Sequence, residues 1–401
     1  MTNLPHPDEI TDCVLKTFNT LPAKFKPRRL ADGRREWVPL AGIVLSRDHD
    51  PSSLTCVSLA TGMKCLPREK VPLAKGSILH DWHAEVLCLR GFNRWLVDEC
   101  AELAARGKSG GDSEWLAWNH DTGEGRPPFS LHENVRLYMY CTQAPCGDAS
   151  MELTISAQQD STPWSSAPAP SSSSDTSMLG RGHFDQLGIV RRKPSRPDAP
   201  VCWSKSCSDK LTLKQCLGLL CGLTGLLVQP CWLEVLVLPE GEVVPEAVGR
   251  CFGGEGRMKN LDGWGGGEGG FKFRPFVVET TRREFEFEKE EAAVPSNLSA
   301  LWMPRRKEVL INGVLQGRKQ MDPKGASCVS RRRLWEGVLE VAGGLDLESL
   351  KGELERERYG DVKDSWILEE RRRAKRFVKE RALRGWKRND GDEDWGLETG
   401  P

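Results

Sequence analysis

VRLYMYCTQAPCGD, residues 135–148, is the stretch on which the reading of this chain turns. Val135 to Tyr140 is an aromatic run of β type. It ends directly at Cys141–Asp148, a turn that sets Cys146 between a proline and a glycine. Two other segments have the same character. HDWHAE, residues 80–85, closes a polar loop, and Val86, Leu87, Leu89, Phe92, Trp95 and Leu96 then follow the spacing of an amphipathic helix. SCSDK, residues 206–210, opens the apolar stretch 211–227, which reads as a buried helix, with a strand at 232–238 after it. Each motif stands at a strand-to-helix junction or just inside a helix start. Free backbone N–H groups and the positive helix end stabilise a thiolate there.

Outward from these motifs, residues 8–20 read as an opening helix, and 41–45 and 54–60 as two strands. Further strands are predicted at 273–279 and 308–313, and charged helices close the chain. Residues 371–388 hold ten basic residues against one acidic residue, Glu380. Residues 158–177 are dominated by Ser, Ala and Pro and cannot supply a core. Residues 191–200 read as an unstructured basic segment, and the Gly-rich run within 251–270 as a surface insertion. That run lacks the spacing and the lysine of a phosphate-cradling loop. Nothing separates two cores. The expectation is one domain over 1–401 with disordered or surface insertions at about 155–200 and 251–270.

Composition excludes several classes. With 401 residues, 38% hydrophobic and 28% charged, the chain is neither wholly disordered nor short of a core. No apolar run reaches the length of a membrane span, and the polar, acidic N-terminus does not resemble a signal peptide. Fifty-seven basic residues against fifty-seven acidic ones make no general case for nucleic-acid binding, though a local basic face remains open. Fourteen cysteines are too sparse for a disulfide scaffold, which points to an intracellular protein, cytoplasmic or nuclear. No obligate protein partner is evident.

A zinc-dependent base deaminase needs one imidazole and two thiolates on the metal, and a glutamate that moves protons without binding it. His83, Cys146 and Cys207 supply that ligand set, and Glu85 the acid/base. Three protein ligands leave a fourth position for water, whose pKa the metal lowers. Glu85 then takes the water proton, C6 of adenine is attacked, and Glu85 delivers a proton to the departing ammonia, which leaves inosine. The residues alone also allow a structural zinc, or buried cysteines beside a helix histidine. Sixty-one residues separate the two cysteines, which no metal-spacing rule covers. Cys88, Cys100, Cys216, Cys221 and Cys231 lie in apolar patterns and read as core.

Taken in order, Thr61-Gly62-Met63-Lys64-Cys65, Trp82-His83-Ala84-Glu85, Ala144-Pro145-Cys146-Gly147-Asp148 and Ser206-Cys207-Ser208-Asp209-Lys210 resemble the motifs of the deaminase domain shared by tRNA-specific adenosine deaminases and adenosine deaminases acting on RNA. The resemblance covers roughly residues 10 to 390. It implies an α/β fold, a cytidine-deaminase-like three-layer α/β/α core with C-terminal elaboration. It implies zinc on His83, Cys146 and Cys207, Glu85 as the proton shuttle, and Thr61 and Lys64 beside the substrate nucleotide. It further implies a buried inositol hexakisphosphate held by Arg90, Lys210, Arg331, Tyr359, Lys363, Lys375, Trp386 and Lys387. Leu89, Leu213 and Lys214 depart from the duplex-RNA enzymes at positions near that cofactor. Only about forty residues precede the first strand, which favours tRNA over duplex RNA. The implied substrate is the adenosine immediately 3′ of the anticodon of alanine tRNA.

Local basic groups must then meet phosphate. Candidates are Lys24, Lys26, Arg28 and Arg29, then Arg191 to Lys193, then Arg305 to Lys307. A solvated face accounts for each equally well. Two rival readings remain: a deaminase of other RNA, free nucleosides or cytosine, and a catalytically inactive RNA-binding module. Deaminases of free nucleosides or cytosine usually bring their two cysteines together as PCxxC, and a binding module has no use for Glu85.

Overall fold

The computed structural model describes residues 4–119, 125–157, 178–180, 186–193, 199–261, 264, 268–345 and 347–397. In chain order the elements that build the core are α1 (Pro7–Asn19), β1 (Leu40–Arg47), β2 (Thr55–Thr61), α2 (Ala84–Arg106), β3 (Val135–Cys141), α3 (Met151–Ser156), α4 (Cys207–Leu217), β4 (Val235–Pro239), α5 (Pro245–Phe252) and β5 (Val277–Thr281). There follow β6 (Leu298–Met303), β7 (Arg306–Ile311), β8 (Val314–Leu315), α6 (Arg331–Gly344), α7 (Glu348–Leu354), α8 (Tyr359–Asp364) and α9 (Glu369–Arg381).

The strands form one sheet in the order β5-β4-β3-β1-β2-β6-β7-β8. β3, β4 and β5 are mutually parallel, and every other pairing is antiparallel. Parallel strands need a crossover. The chain between β3 and β4 supplies α4, and the chain between β4 and β5 supplies α5.

Alternation sorts the strand residues between two faces. Leu40 and Val44 of β1, Tyr138 and Tyr140 of β3, and Val235 and Val237 of β4 pack with Ile10, Val14 and Phe18 of α1. Ala41, Ile43 and Leu45, with Leu137, Met139, Leu236 and Leu238, face the larger core around Leu87, Phe92, Leu96 and Leu103 of α2. The result is a three-layer α/β/α architecture. Gly42 lets α1 sit close: a Cβ there would stand 2.5 Å from a Val14 methyl.

Beyond the sheet, α9 lays Ala374 and Val378 on Leu213, Cys216 and Leu217 of α4. The tail is pinned separately. The buried Asp392 accepts from Gly76 N at 2.9 Å, pairs with His80 Nε2 at 2.8 Å and accepts from Arg331 Nη1 at 2.8 Å. Tyr359 stacks on Trp395, with centroids 4.7 Å apart.

Most predicted elements are present, with shifted ends. The apolar stretch 211–227 is corrected. Its helix stops at Leu217, and Leu219, Leu220 and Leu227 are buried in irregular chain. The Lys214 amine donates to the carbonyls of Leu219 and Leu220, which lets that backbone stay buried without a ladder. β6, between β2 and β7, has no counterpart in the sequence reading.

The insertions are corrected in part. Residues 158–177 lie outside the described residues. Arg191 and Arg192 are paired in register with Met178 and Leu179, and Cys251, Phe252, Met258 and Leu261 are core. In the basic segment Arg191 is 1% exposed and Lys193 is 3% exposed. Their charges are taken up inside the protein, so they are unavailable to phosphate at a surface.

Gly42→Val should lower stability by about 1–3 kcal/mol through overpacking against α1. Denaturant unfolding followed by circular dichroism checks this.

Candidate active site

His83 is the N-cap of α2, which leaves Glu85 in that helix's first turn. Cys207 is the first residue of α4, capped by Ser206, whose hydroxyl accepts from Asp209 N at 3.1 Å and donates to Asp209 Oδ2 at 2.6 Å. Cys146 lies on the turn after β3. Gly147 follows it at φ +112°, and a Cβ there would lie 2.4 Å from the Ser206 side chain. Glycine therefore lets the Cys146 turn press against the start of α4. Cys207 N then donates to Cys146 Sγ at 3.4 Å.

One ligand atom from each of His83, Cys146 and Cys207 falls within 4.8 Å of the others, and Cys146 Sγ stands 3.9 Å from His83 Nδ1. One imidazole and two thiolates suit zinc with an open fourth position. The donor set, its depth and the adjoining carboxyl all fit that metal. Cys65, Asp81 and His83 form a second close group. There Asp81 is already engaged by two lysines, so the first group is the stronger candidate for a metal.

Charge around the site is arranged for thiolates. The hydrogen bond from Cys207, with Lys193 and His83 nearby, holds the Cys146 thiol well below its ordinary value. Burial and the Cys146 sulfur push Cys207 the other way. Lys193 Nζ meets Cys207 Sγ at 3.2 Å and Asp81 Oδ2 at 2.9 Å. Burial opposes its charge, but Asp81, Cys146 and Cys207 outweigh burial and keep the amine protonated. Asp81 also accepts from Lys210 and, at 3.0 Å, from His83 N. Glu85 is buried. Burial first, and the Cys146 sulfur second, push its carboxyl above the usual range, which suits a group that must hold a proton part of the time.

The model of the adenosine-deaminase (editase) domain matches residues 58–390. The chain belongs to that family. It is a zinc-dependent hydrolytic deaminase. It is 36% identical over 345 residues to tRNA-specific adenosine deaminase 1 of Schizosaccharomyces pombe, covering 84% of this chain and 85% of that protein. The Drosophila melanogaster protein of the same name is 27% identical over 84% of this chain and 82% of its own length. That of Saccharomyces cerevisiae is 34% identical over 59% of each.

The other predicted residues of this deaminase fall in two places. Thr61 ends β2, fully buried, and its hydroxyl accepts from Ala300 N at 2.8 Å. Lys64 is half-buried and donates to Asn297. The remaining set gathers around the C-terminal helices. Arg90 Nη1 donates to Val329 O at 2.8 Å, and Arg331 lies 6.0 Å from the Tyr359 ring. Trp386 receives the amines of Lys205 and Lys379 over its ring, and Lys387 beside it is half-buried.

Sequence reasoning missed Lys205, Arg371 and Lys379, offered Lys193 only as a phosphate contact and named Lys214 only as a departure from the duplex-RNA enzymes. Lys214 had a usable signal, since it stands one helical turn after Lys210. Lys193 had none, because a basic run rich in proline reads as solvated. Arg305 and Arg306, offered as phosphate contacts, are engaged by Glu99, Glu102 and Asp98. Among the described residues no helix is long and apolar enough to cross a membrane.

His83→Gln, Cys146→Ser and Cys207→Ser should each bring zinc well below one per chain by elemental analysis. Glu85→Gln should retain it, because its carboxyl is not a ligand.

Proposed function

We propose that this deaminase acts on tRNA and converts the adenosine immediately 3′ of the anticodon of alanine tRNA to inosine. The observation that carries the substrate class is the likeness, over 84% of this chain and 85% of its own length, to the S. pombe protein named for tRNA. An anticodon loop is already partly unstacked, so drawing a base out of it costs less than flipping one from a duplex. Lys24, Arg28 and Arg29 remain exposed and suit phosphate contact, and Lys64 borders the nucleotide in this reading.

Zinc, when bound, makes water a competent nucleophile near neutral pH. Glu85 does the proton work. It takes the water proton as the C6–O bond forms and passes it to the ring nitrogen, then takes the proton of the new C6 hydroxyl and gives it to the amine, which leaves as ammonia as the C6–N bond breaks. Lys193 holds Cys207 and Asp81 in place during this cycle.

The C-terminal basic group supports a buried polyanion, for which inositol hexakisphosphate is our proposal. Lys214, Lys363, Lys375 and Arg371 are half-buried, and among the described residues none of them has a carboxylate within ion-pair distance. Burial and the neighbouring Arg371 bring Lys214 down to about 7 and Lys363 to about 8. Burial, with Lys363, Lys379, Arg371 and Lys214, brings Lys375 down further. Several phosphates would relieve that repulsion and strengthen the fold. Arg90, Lys210, Arg331, Tyr359, Trp386 and Lys387 complete the proposed wall. Fourteen free cysteines fit a reducing compartment, cytoplasm or nucleus.

Wild type should form inosine at one position of alanine tRNA by nucleoside mass spectrometry with mapping, and Glu85→Gln none. Absence of inosine from zinc-loaded wild type would overturn the tRNA assignment. Acid extraction of purified protein should release one hexakisphosphate per chain, and much less from Lys375→Met. The lysines near 7 and 8 must take up protons when an anion binds, so affinity should fall as pH rises through that range. Calorimetry in buffers of different ionisation heat reads the uptake.

A further inference from the structure

The two ligand cysteines share a small motif. Each is followed two residues later by an aspartate: Asp148 after Cys146, and Asp209 after Cys207. Both aspartate side chains are fully buried, and each is met by an arginine. Asp148 Oδ1 accepts from Arg250 Nε at 3.2 Å and from Gly188 N at 2.8 Å, and Arg250 Nη2 also donates to Asp148 O at 3.0 Å. Asp209 Oδ1 accepts from Arg257 Nη1 at 2.6 Å, and its Oδ2 accepts from Arg191 N at 2.9 Å and from the Ser206 hydroxyl.

The two arginines come from one short segment, α5 and the turn after it. They are joined across Cys251: Arg257 donates to Cys251 O at 3.1 Å and to Cys251 Sγ at 3.1 Å. Arg250 is braced from the other side by Glu152 of α3, at 2.6 Å and 3.0 Å. Two ligand loops far apart in sequence are thus registered against one clip. Among the described residues neither arginine bonds a ligand side chain.

We infer that Arg250 and Arg257 are positioning residues for the metal centre. They fix the separation and direction of the two cysteine sulfurs through Asp148 and Asp209. A four-coordinate zinc tolerates little displacement of its thiolates, and groups one step out from a metal commonly govern affinity by about 10- to 100-fold. Removing either arginine also leaves a buried carboxylate unpaired two residues from a ligand. The inference rests on the zinc reading of the site.

The test uses full-length Arg250→Gln, Arg257→Gln and Arg257→Lys. Arg282→Gln, which breaks an exposed pair with Glu240, is the control. Two properties are read: zinc affinity by competition with a chromophoric chelator, and the visible spectrum of the Co2+-substituted protein. The glutamine variants should bind zinc at least about tenfold more weakly, with shifted or weakened cobalt bands and unchanged far-UV circular dichroism. Arg257→Lys should fall between, and the control should match wild type. Zinc affinity within twofold of wild type and superimposable cobalt spectra would overturn the inference, even if the melting temperature falls. If Arg257→Gln does not fold, Arg257→Lys and Arg250→Gln decide by the same criteria. A wild type that binds no zinc overturns the metal reading first, and this inference with it.

Discussion

Two cysteine sulfurs and an imidazole nitrogen lie within 4.8 Å of one another, with the Glu85 carboxyl buried in the same place. That much potential negative charge cannot be enclosed without positive charge to meet it. A bound zinc ion would supply part of it. The protein supplies the rest in two forms: helix starts at His83 and Cys207, and the buried amine of Lys193. The loops that carry the ligands are arranged around this requirement. Lys193 reaches both the Cys207 sulfur and Asp81.

The C-terminal region presents the opposite imbalance. Lys214, Lys363, Lys375 and Arg371 are desolvated together, with burial pushing all four down and Arg371 pushing the three lysines down further. One cluster therefore concentrates groups that would carry negative charge, and the other concentrates positive charge. Asp81 stands between them, bonded to Lys193 on the metal side and to Lys210 on the other. Lys210 lies one turn along α4 from Cys207 and one turn before Lys214. The helix α4 thus spans both regions, with Cys207 and Lys210 at its start and Lys214 one turn further on.

Much of the core was legible because its signals are local. The strand 135–140, the helix after His83 and the strands flanking 46–53 follow from periodicity and β-branched or aromatic content. The proposed ligands His83 and Cys207, and Glu85, were legible from residue type at helix starts, and Cys146 from the turn that follows its strand. Other features carried no local signal. Lys193 reads as solvated from its neighbours, because nothing nearby in sequence announces Asp81. Arg257 sits in a glycine-rich run that resembles decoration, yet it grips Asp209, forty-eight residues earlier. The stretch 211–227 looks like one helix because apolar content hides the turn at Gly218, where φ is +68°.

The sequence by itself determined the α/β class and the family, and singled out the four residues proposed for the chemistry. Each depends on residue type, short-range period and motif order, all of which survive in one dimension. Only the tertiary structure decided which charges are spent inside the protein. Whether Lys193 meets solvent or a thiolate, and whether Arg305 is held by Glu99 and Glu102 or open to phosphate, depends on which chain segments pack together. An ion pair forms over a few ångströms of space, and the separation of its partners along the chain does not enter its energy.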